Sequence, residues 1–167
     1  YKVKGKPWAY SGAIDVSDCA TAKEVMLKAG LNFNVAKCEL VGKMPIKLTG
    51  TDEELDRIIK EQKEGAHVFG TDIYRKCDNA FATYRTDYNI PLGVVKSKYT
   101  IVQNNDAFNF FDGAIGKNSA IWQTAGFWGN GERIFVSAKL PNNILVKGDP
   151  VENYLVFTNT HDAVSYT

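Results

Sequence analysis

Histidine occurs only twice in the 167 residues and cysteine only three times. With His67 and His161 alone available, a histidine-rich metal centre is excluded, and no C-x-x-C pair offers a thiolate site. Cys19, Cys38 and Cys77 are dispersed and odd in number, which fits no secreted disulfide framework. Each reads as a small buried hydrophobe rather than a nucleophile, and a reducing compartment is expected. No metal and no cofactor are expected. The chain also lacks any run of about 18 apolar residues and any charged segment leading into an apolar signal core, so no membrane span or leader is expected. Also missing are the G-x-x-x-x-G-K-[ST] loop, a G-x-G-x-x-G after a strand, the G-x-S-x-G elbow and H-E-x-x-H, which removes the usual signs of nucleotide hydrolysis, acyl transfer and zinc chemistry. A one-sided charge is absent too. Twenty basic and 19 acidic side chains leave a formal net charge of +1, so any polyanion site must be a local patch.

What is present suits one packed domain: 44% of the residues are hydrophobic and 12% aromatic. Three segments carry helix signals. Thr21 to Ala29 opens on the capping box Thr21-x-x-Glu24 and stops at Gly30. Asp52 to Glu64 opens on Thr51-x-x-Glu54, shows a narrow stripe of Leu55, Ile58 and Ile59, and is expected to face water over most of its surface. Asn105 to Ile115, capped by Asn104 or Asn105, carries Phe108, Phe111 and Ile115 at helical spacing, a stripe read as core rather than as a ligand box.

The remainder reads as strands. Ala120 to Trp128 and Glu132 to Leu140 flank Gly129-Asn130-Gly131 as a hairpin with an exposed tip. In its second strand Ile134, Val136, Ala138 and Leu140 form a core face, and Arg133, Phe135, Ser137 and Lys139 an opposite, mostly polar one. A second hairpin is expected from Phe81 to Thr86 with Leu92 to Val102, Pro91 marking a turn or edge. A third is expected from Asn153 to Thr158 with Ala163 to Tyr166, turning through Asn159-Thr160-His161-Asp162. Asn32 to Leu40 reads as a further strand. Hairpins with helices between them, and no regular strand-helix-strand alternation, predict an α+β fold with a mainly antiparallel sheet. The polar stretch 50–79 reads as an insertion within a single domain spanning 1–167. The chain begins at Tyr1 and stops at Val164-Ser165-Tyr166-Thr167 like a strand cut short, so a processed or truncated form lacking a C-terminal part is expected.

Two groups of residues are candidates for function. The first is polar: Tyr99, Gln103, Asn104, Asn159, His161 and Asp162, which gathered in a cleft would let an imidazole act as acid or base. The ordinary reading of His161-Asp162 is that a turn uses them to satisfy its own backbone. The second group interleaves cations with aromatics: Lys2, Lys4 and Lys6 with Tyr1 and Trp8; Lys96 and Lys98 with Tyr99; and Arg133, Phe135 and Lys139 on one strand face. Cations meet phosphates and aromatic rings stack bases, the two requirements for single-strand binding; the ordinary reading is a solvated sheet face and a terminal arm.

Several segments also carry a family resemblance. They are Lys6-Pro7-Trp8; Thr21 to Gly30 with Leu31-Asn32-Phe33-Asn34-Val35; Leu92-Gly93-Val94-Val95 to Tyr99-Thr100-Ile101-Val102-Gln103-Asn104; Ala107-Phe108 with Phe110-Phe111-Asp112; Thr124-Ala125-Gly126; and Tyr154-Leu155 to Thr158-Asn159-Thr160-His161-Asp162. Together they resemble the phage/plasmid-like proteins of domain of unknown function number nine hundred and thirty-two. The resemblance implies a phage, prophage or plasmid setting in a bacterial cytoplasm and no established activity. Three functions are weighed: a single-stranded DNA-binding or annealing protein, a homo-oligomer being one expected form; an enzyme acting on nucleic acid or a nucleotide through a polar cleft around His161; and a virion structural or assembly protein.

Overall fold

The computed structural model describes residues 12–45, 51–63, 67–69, 72–115, 120–141 and 144–162. In chain order the elements are β1 Ile14–Asp15, α1 Ala22–Lys28, β2 Val35–Pro45, α2 Asp52–Lys63, β3 His67–Phe69, β4 Asp72–Arg85, β5 Ile90–Lys96, α3 Asn104–Ile115, β6 Ile121–Trp128, β7 Arg133–Lys139, β8 Ile144–Val146, β9 Asp149–Val151 and β10 Tyr154–Thr160. Every strand pairing is antiparallel, as the hairpin pattern predicts for an α+β chain. One sheet runs β1-β6-β7-β10, and the second runs β2-β4-β3 with β5 on the other part of β4.

The first helix forms where its signals lie. Thr21 Oγ1 accepts from Glu24 N at 3.2 Å while the Glu24 carboxylate accepts from Thr21 N, and Gly30 takes the left-handed φ of +67° that ends the helix. α1 and α3 then cover one face of the first sheet. Val25, Met26, Phe108 and Phe111 meet Trp122, Ala125, Ile134, Val136 and Ala138 there, with Phe157 of β10 packed 5.6 Å from Phe111 between ring centroids. The aromatic stripe of α3 is therefore core at Phe108 and Phe111.

The β6–β7 hairpin forms with Ile134, Val136 and Ala138 inward, but its other face is not solvated. Phe135 and Ser137 are fully buried, Phe135 lying 4.8 Å from the Trp128 ring and Ser137 Oγ 2.6 Å from Thr124 Oγ1. Alternation with polar residues predicts a wet face; here a serine finds a threonine partner across the ladder, so polarity does not mean exposure. The tip is also not wholly exposed. Gly131 lies beneath Phe33, and at its φ of +115° a Cβ would come within 2.7 Å of the Phe33 ring. That spacing leaves room for glycine alone.

Three other expectations are corrected. β2 begins at Val35 rather than Asn32 and runs to Pro45, paired over its whole length with β4, which reaches back to Asp72. Residues 72–79 form the first part of β4, with only Ile73 buried, and follow β3 and α2, whose described side chains are largely exposed. The hairpin of 81–86 stops at Lys96, short of Val102, while Pro91 lies in β5, which pairs only with β4 among the described strands and so is an edge as expected. Residues 153–158 do not turn through Asn159-Thr160-His161-Asp162. Instead β10 continues to Thr160, pairing residue by residue with β7, and the expected return strand 163–166 lies outside the described residues. A short hairpin, β8–β9, escaped sequence reading. Its turn residues Lys147 and Gly148 both have positive φ, 51° and 94°, the mirror-image turn that suits strand twist.

Candidate functional site

The polar group does come together, as a buried junction rather than an open cleft. β7 and β10 run in register to Arg133 and Thr160, and the next residue, His161, donates its backbone N–H to Glu132 O at 2.7 Å. Thr83 of β4 donates Oγ1–H to His161 O at 2.6 Å, and Tyr99 donates its hydroxyl to Thr160 O at 2.9 Å. Asn159 Nδ2 donates to Val102 O at 2.9 Å. Segment 159–162 is therefore tied to the second sheet and to the chain leading into α3. Asp162 packs so tightly on Gly93 that a Cβ there would lie 2.5 Å from the Asp162 Cα.

Gln103 and Asn104 hold the chain between α1 and β2. Gln103 accepts from Val35 N at 3.0 Å and donates to Val35 O at 2.8 Å, acting as a one-residue strand partner. The fully buried Asn104 donates from Nδ2 to Leu31 O at 3.0 Å and to Phe33 O at 3.4 Å. With both amide hydrogens so used, its Oδ1 accepts, and the His161 Nε2 that lies 2.8 Å away is the donor. His161 is thereby set as the Nε2–H tautomer, and its buried Nδ1 has no hydrogen-bond partner among the described residues.

The electrostatics follow from burial. Desolvation lowers the His161 pKa to about 4, against a smaller opposing effect of Asp162, so the ring is neutral at pH 7. Burial, and then Asp162, push the Tyr99 phenol up. Neither group titrates near neutral pH, where a general acid or base works best. His161 is 0% exposed and its backbone groups bond Glu132 and Thr83, so the reading in which a turn uses it to satisfy its own backbone is corrected. A cavity of about 400 Å³ opens nearby between Trp128, Glu132, Arg133 and Asp162, with Arg133 Nη2 3.4 Å from Asp162 Oδ2, but His161 does not line it.

The strand-face candidates for nucleic acid fare differently from one another. Phe135 is fully buried and offers no face for stacking. Arg133 is turned towards Asp162, and the half-buried Lys139 pairs with Glu152. Lys96 and Lys98 are exposed and their side chains carry no ion pair among the described residues. The Tyr99 ring is half-buried, its hydroxyl committed to Thr160. Lys2 to Trp8 lie outside the described residues. The thiols of Cys19, Cys38 and Cys77 are free; Cys19 and Cys77 are half-buried, and Cys38, expected inside, is exposed on β2.

Sequence reading missed Arg85. Its guanidinium is buried with its carbon 3.9 Å from the Phe33 ring centroid, it donates to both Asp87 oxygens and to Asn130 O, and it holds the Asp87 carboxyl below the usual range. No signal in an isolated arginine marks such a role. A second cavity, of about 440 Å³ between α1 and the start of α3, is rich in asparagine and was also missed. Its signal was visible: Asn32-x-Asn34 and Asn105-x-x-x-Asn109 each place two amides on one side.

The fold and the junction define an antiparallel α+β domain whose two sheets are joined by a buried polar lock. Residues 91–167 match the family described as Domain of unknown function (DUF932). The matched stretch contains Gly93, Tyr99, Gln103, Asn104, His161 and Asp162, while Thr83 and the carbonyls of Leu31 and Phe33 come from the part before it. No curated protein and no solved structure matches the chain. Among the described residues no helix is long and apolar enough to cross a membrane, and no group of His, Cys, Asp and Glu is placed to hold a metal.

Proposed function

We propose that the domain binds single-stranded nucleic acid, as a binding or annealing protein does, through the turn that follows β5. The observation that carries this reading is the pair Lys96 and Lys98, both exposed and without an ion-pair partner among the described residues, bracketed by the exposed apolar side chains of Val94 and Val102. Cations free of carboxylates can neutralise phosphates without first breaking an ion pair, which Arg133 and Lys139 cannot. A phage or plasmid setting, a bacterial cytoplasmic location and a homo-oligomeric working form belong to the same proposal. The deeply buried, neutral His161 gives the enzyme reading no comparable support.

A salt titration against single-stranded DNA, duplex DNA and RNA tests the reading. Binding to the single strand weakens as salt rises. The doubly substituted Lys96→Ala, Lys98→Ala protein loses about 0.7 of logarithmic slope per lysine, with an unchanged melting temperature. A response that is flat for all three nucleic acids overturns the proposal.

A further inference from the structure

An asparagine-rich cleft lies between α1, the 32–34 segment and the start of α3. Residues 31–35 alternate buried and exposed, so Asn32 and Asn34 stand on one side of that segment while Leu31, Phe33 and Val35 enter the core. Asn105 and Asn109, one helical turn apart on α3, line the cleft from the opposite wall. All four side chains are exposed, and none of their amides bonds another group among the described residues. The apolar part of the lining is the exposed Leu27 beside the nearly buried Met26 and Phe33, and the exposed Lys23 also lines the cleft, with no ion pair among the described residues.

This chemistry is selective. An apolar lining suits a flat ring face, amides supply donors and acceptors side by side, and a single cation suits a single phosphate. A simple anion has no use for the amide donors and acceptors of four asparagines. At about 440 Å³ the cleft has space for one nucleotide.

We propose that this cleft is a nucleobase-binding subsite that takes one unstacked base, adenine before the others, with Lys23 towards its phosphate. The preference for adenine follows from the side-by-side donor and acceptor of an asparagine amide, which match N6 and N7 of that base. As a subsite on a strand, the inference rests on the single-strand reading above; as a pocket for a free nucleotide it stands alone.

The experiment uses the whole chain with four probes: deoxyadenosine monophosphate, oligo-dA, oligo-dT and an abasic oligonucleotide of equal length. Each is titrated against the native protein and against the Asn34→Ala, Asn105→Ala double variant, whose altered side chains are exposed and leave the backbone bonds in place. Oligo-dA binding about tenfold tighter than the abasic strand, a difference abolished in the double variant with the salt slope preserved, is the expected result. Equal affinity for dA, dT and abasic strands overturns the subsite and leaves the single-strand reading standing. Binding of the free nucleotide, lost in the double variant, with no binding of any strand, overturns the single-strand reading and upholds the pocket. No binding of any probe overturns both.

Discussion

Two asparagine-bearing regions of the same helix terminus do opposite things. Asn104 is fully buried with every amide hydrogen and its oxygen engaged; the adjacent Asn105 is exposed with none of its side-chain groups engaged among the described residues. The first ties α3 to the 31–33 segment and to His161, and so fixes the relation between the two sheets. The second faces the open cleft. A residue type therefore says little about its role; the difference lies in whether water or protein is the alternative partner. A buried amide stripped of its partners is costly, whereas an exposed amide exchanges them for water at almost no cost.

That contrast predicts the largest effect at Asn104. Asn104→Ala leaves Leu31 O, Phe33 O and the His161 Nε2–H without their partner in a dry site, and should cost about 4 kcal/mol or more, read as the loss of chemical-denaturation stability. A variant within 1 kcal/mol of the native protein, roughly the spread of ordinary single-bond losses, would break the comparison.

The next effect is in pH. The His161 pKa is lowered to about 4 in the folded chain from an ordinary 6.5, so the unfolded state binds the extra proton first. The contribution is complete above about pH 6.5 and is lost as pH falls through that value towards 4, to a total of roughly 3 kcal/mol. Carboxylates held below their usual range, such as Asp87 against Arg85, add their own loss only at lower pH. Replacing His161 by Gln should flatten the stability profile between pH 6.5 and 4 and leave the lower limb. An unaltered profile would place the titration elsewhere.

The smallest effect belongs to the cleft. Asn34→Ala and Asn105→Ala should each change stability by less than about 0.5 kcal/mol, as exposed sites without packing do. A melting temperature that falls as far as in Asn104→Ala would show that the cleft is structural, and would remove the contrast.

Much of the architecture was legible in the sequence because it is local. The capping box of α1, the glycine stop at Gly30 and the strand period of β7 each depend on residues within a few positions of one another. The candidate site was legible only as a membership list. Of Tyr99, Gln103, Asn104, Asn159, His161 and Asp162, grouped from sequence, Asn104 and His161 bond each other directly, while Tyr99, Gln103 and Asn159 tie backbone carbonyls and amides of the same junction, a lock and not a cleft. Phe135 failed for the reciprocal reason: alternation placed it on the right face of β7, while the burial of that face depends on what packs over it.

The sequence by itself determined the helix boundaries at α1 and α3, the β6–β7 pairing and the antiparallel α+β class, since propensity, capping and period act over short range. Tertiary structure alone decided which polar groups lose water. Asn104 and Asn105 are neighbours in sequence, but one meets His161, 57 positions away, and the other meets solvent. Desolvation is a property of the assembled surroundings and set the pKa of His161, while the hydrogen bond to Asn104, a tertiary contact too, set the tautomer of its ring.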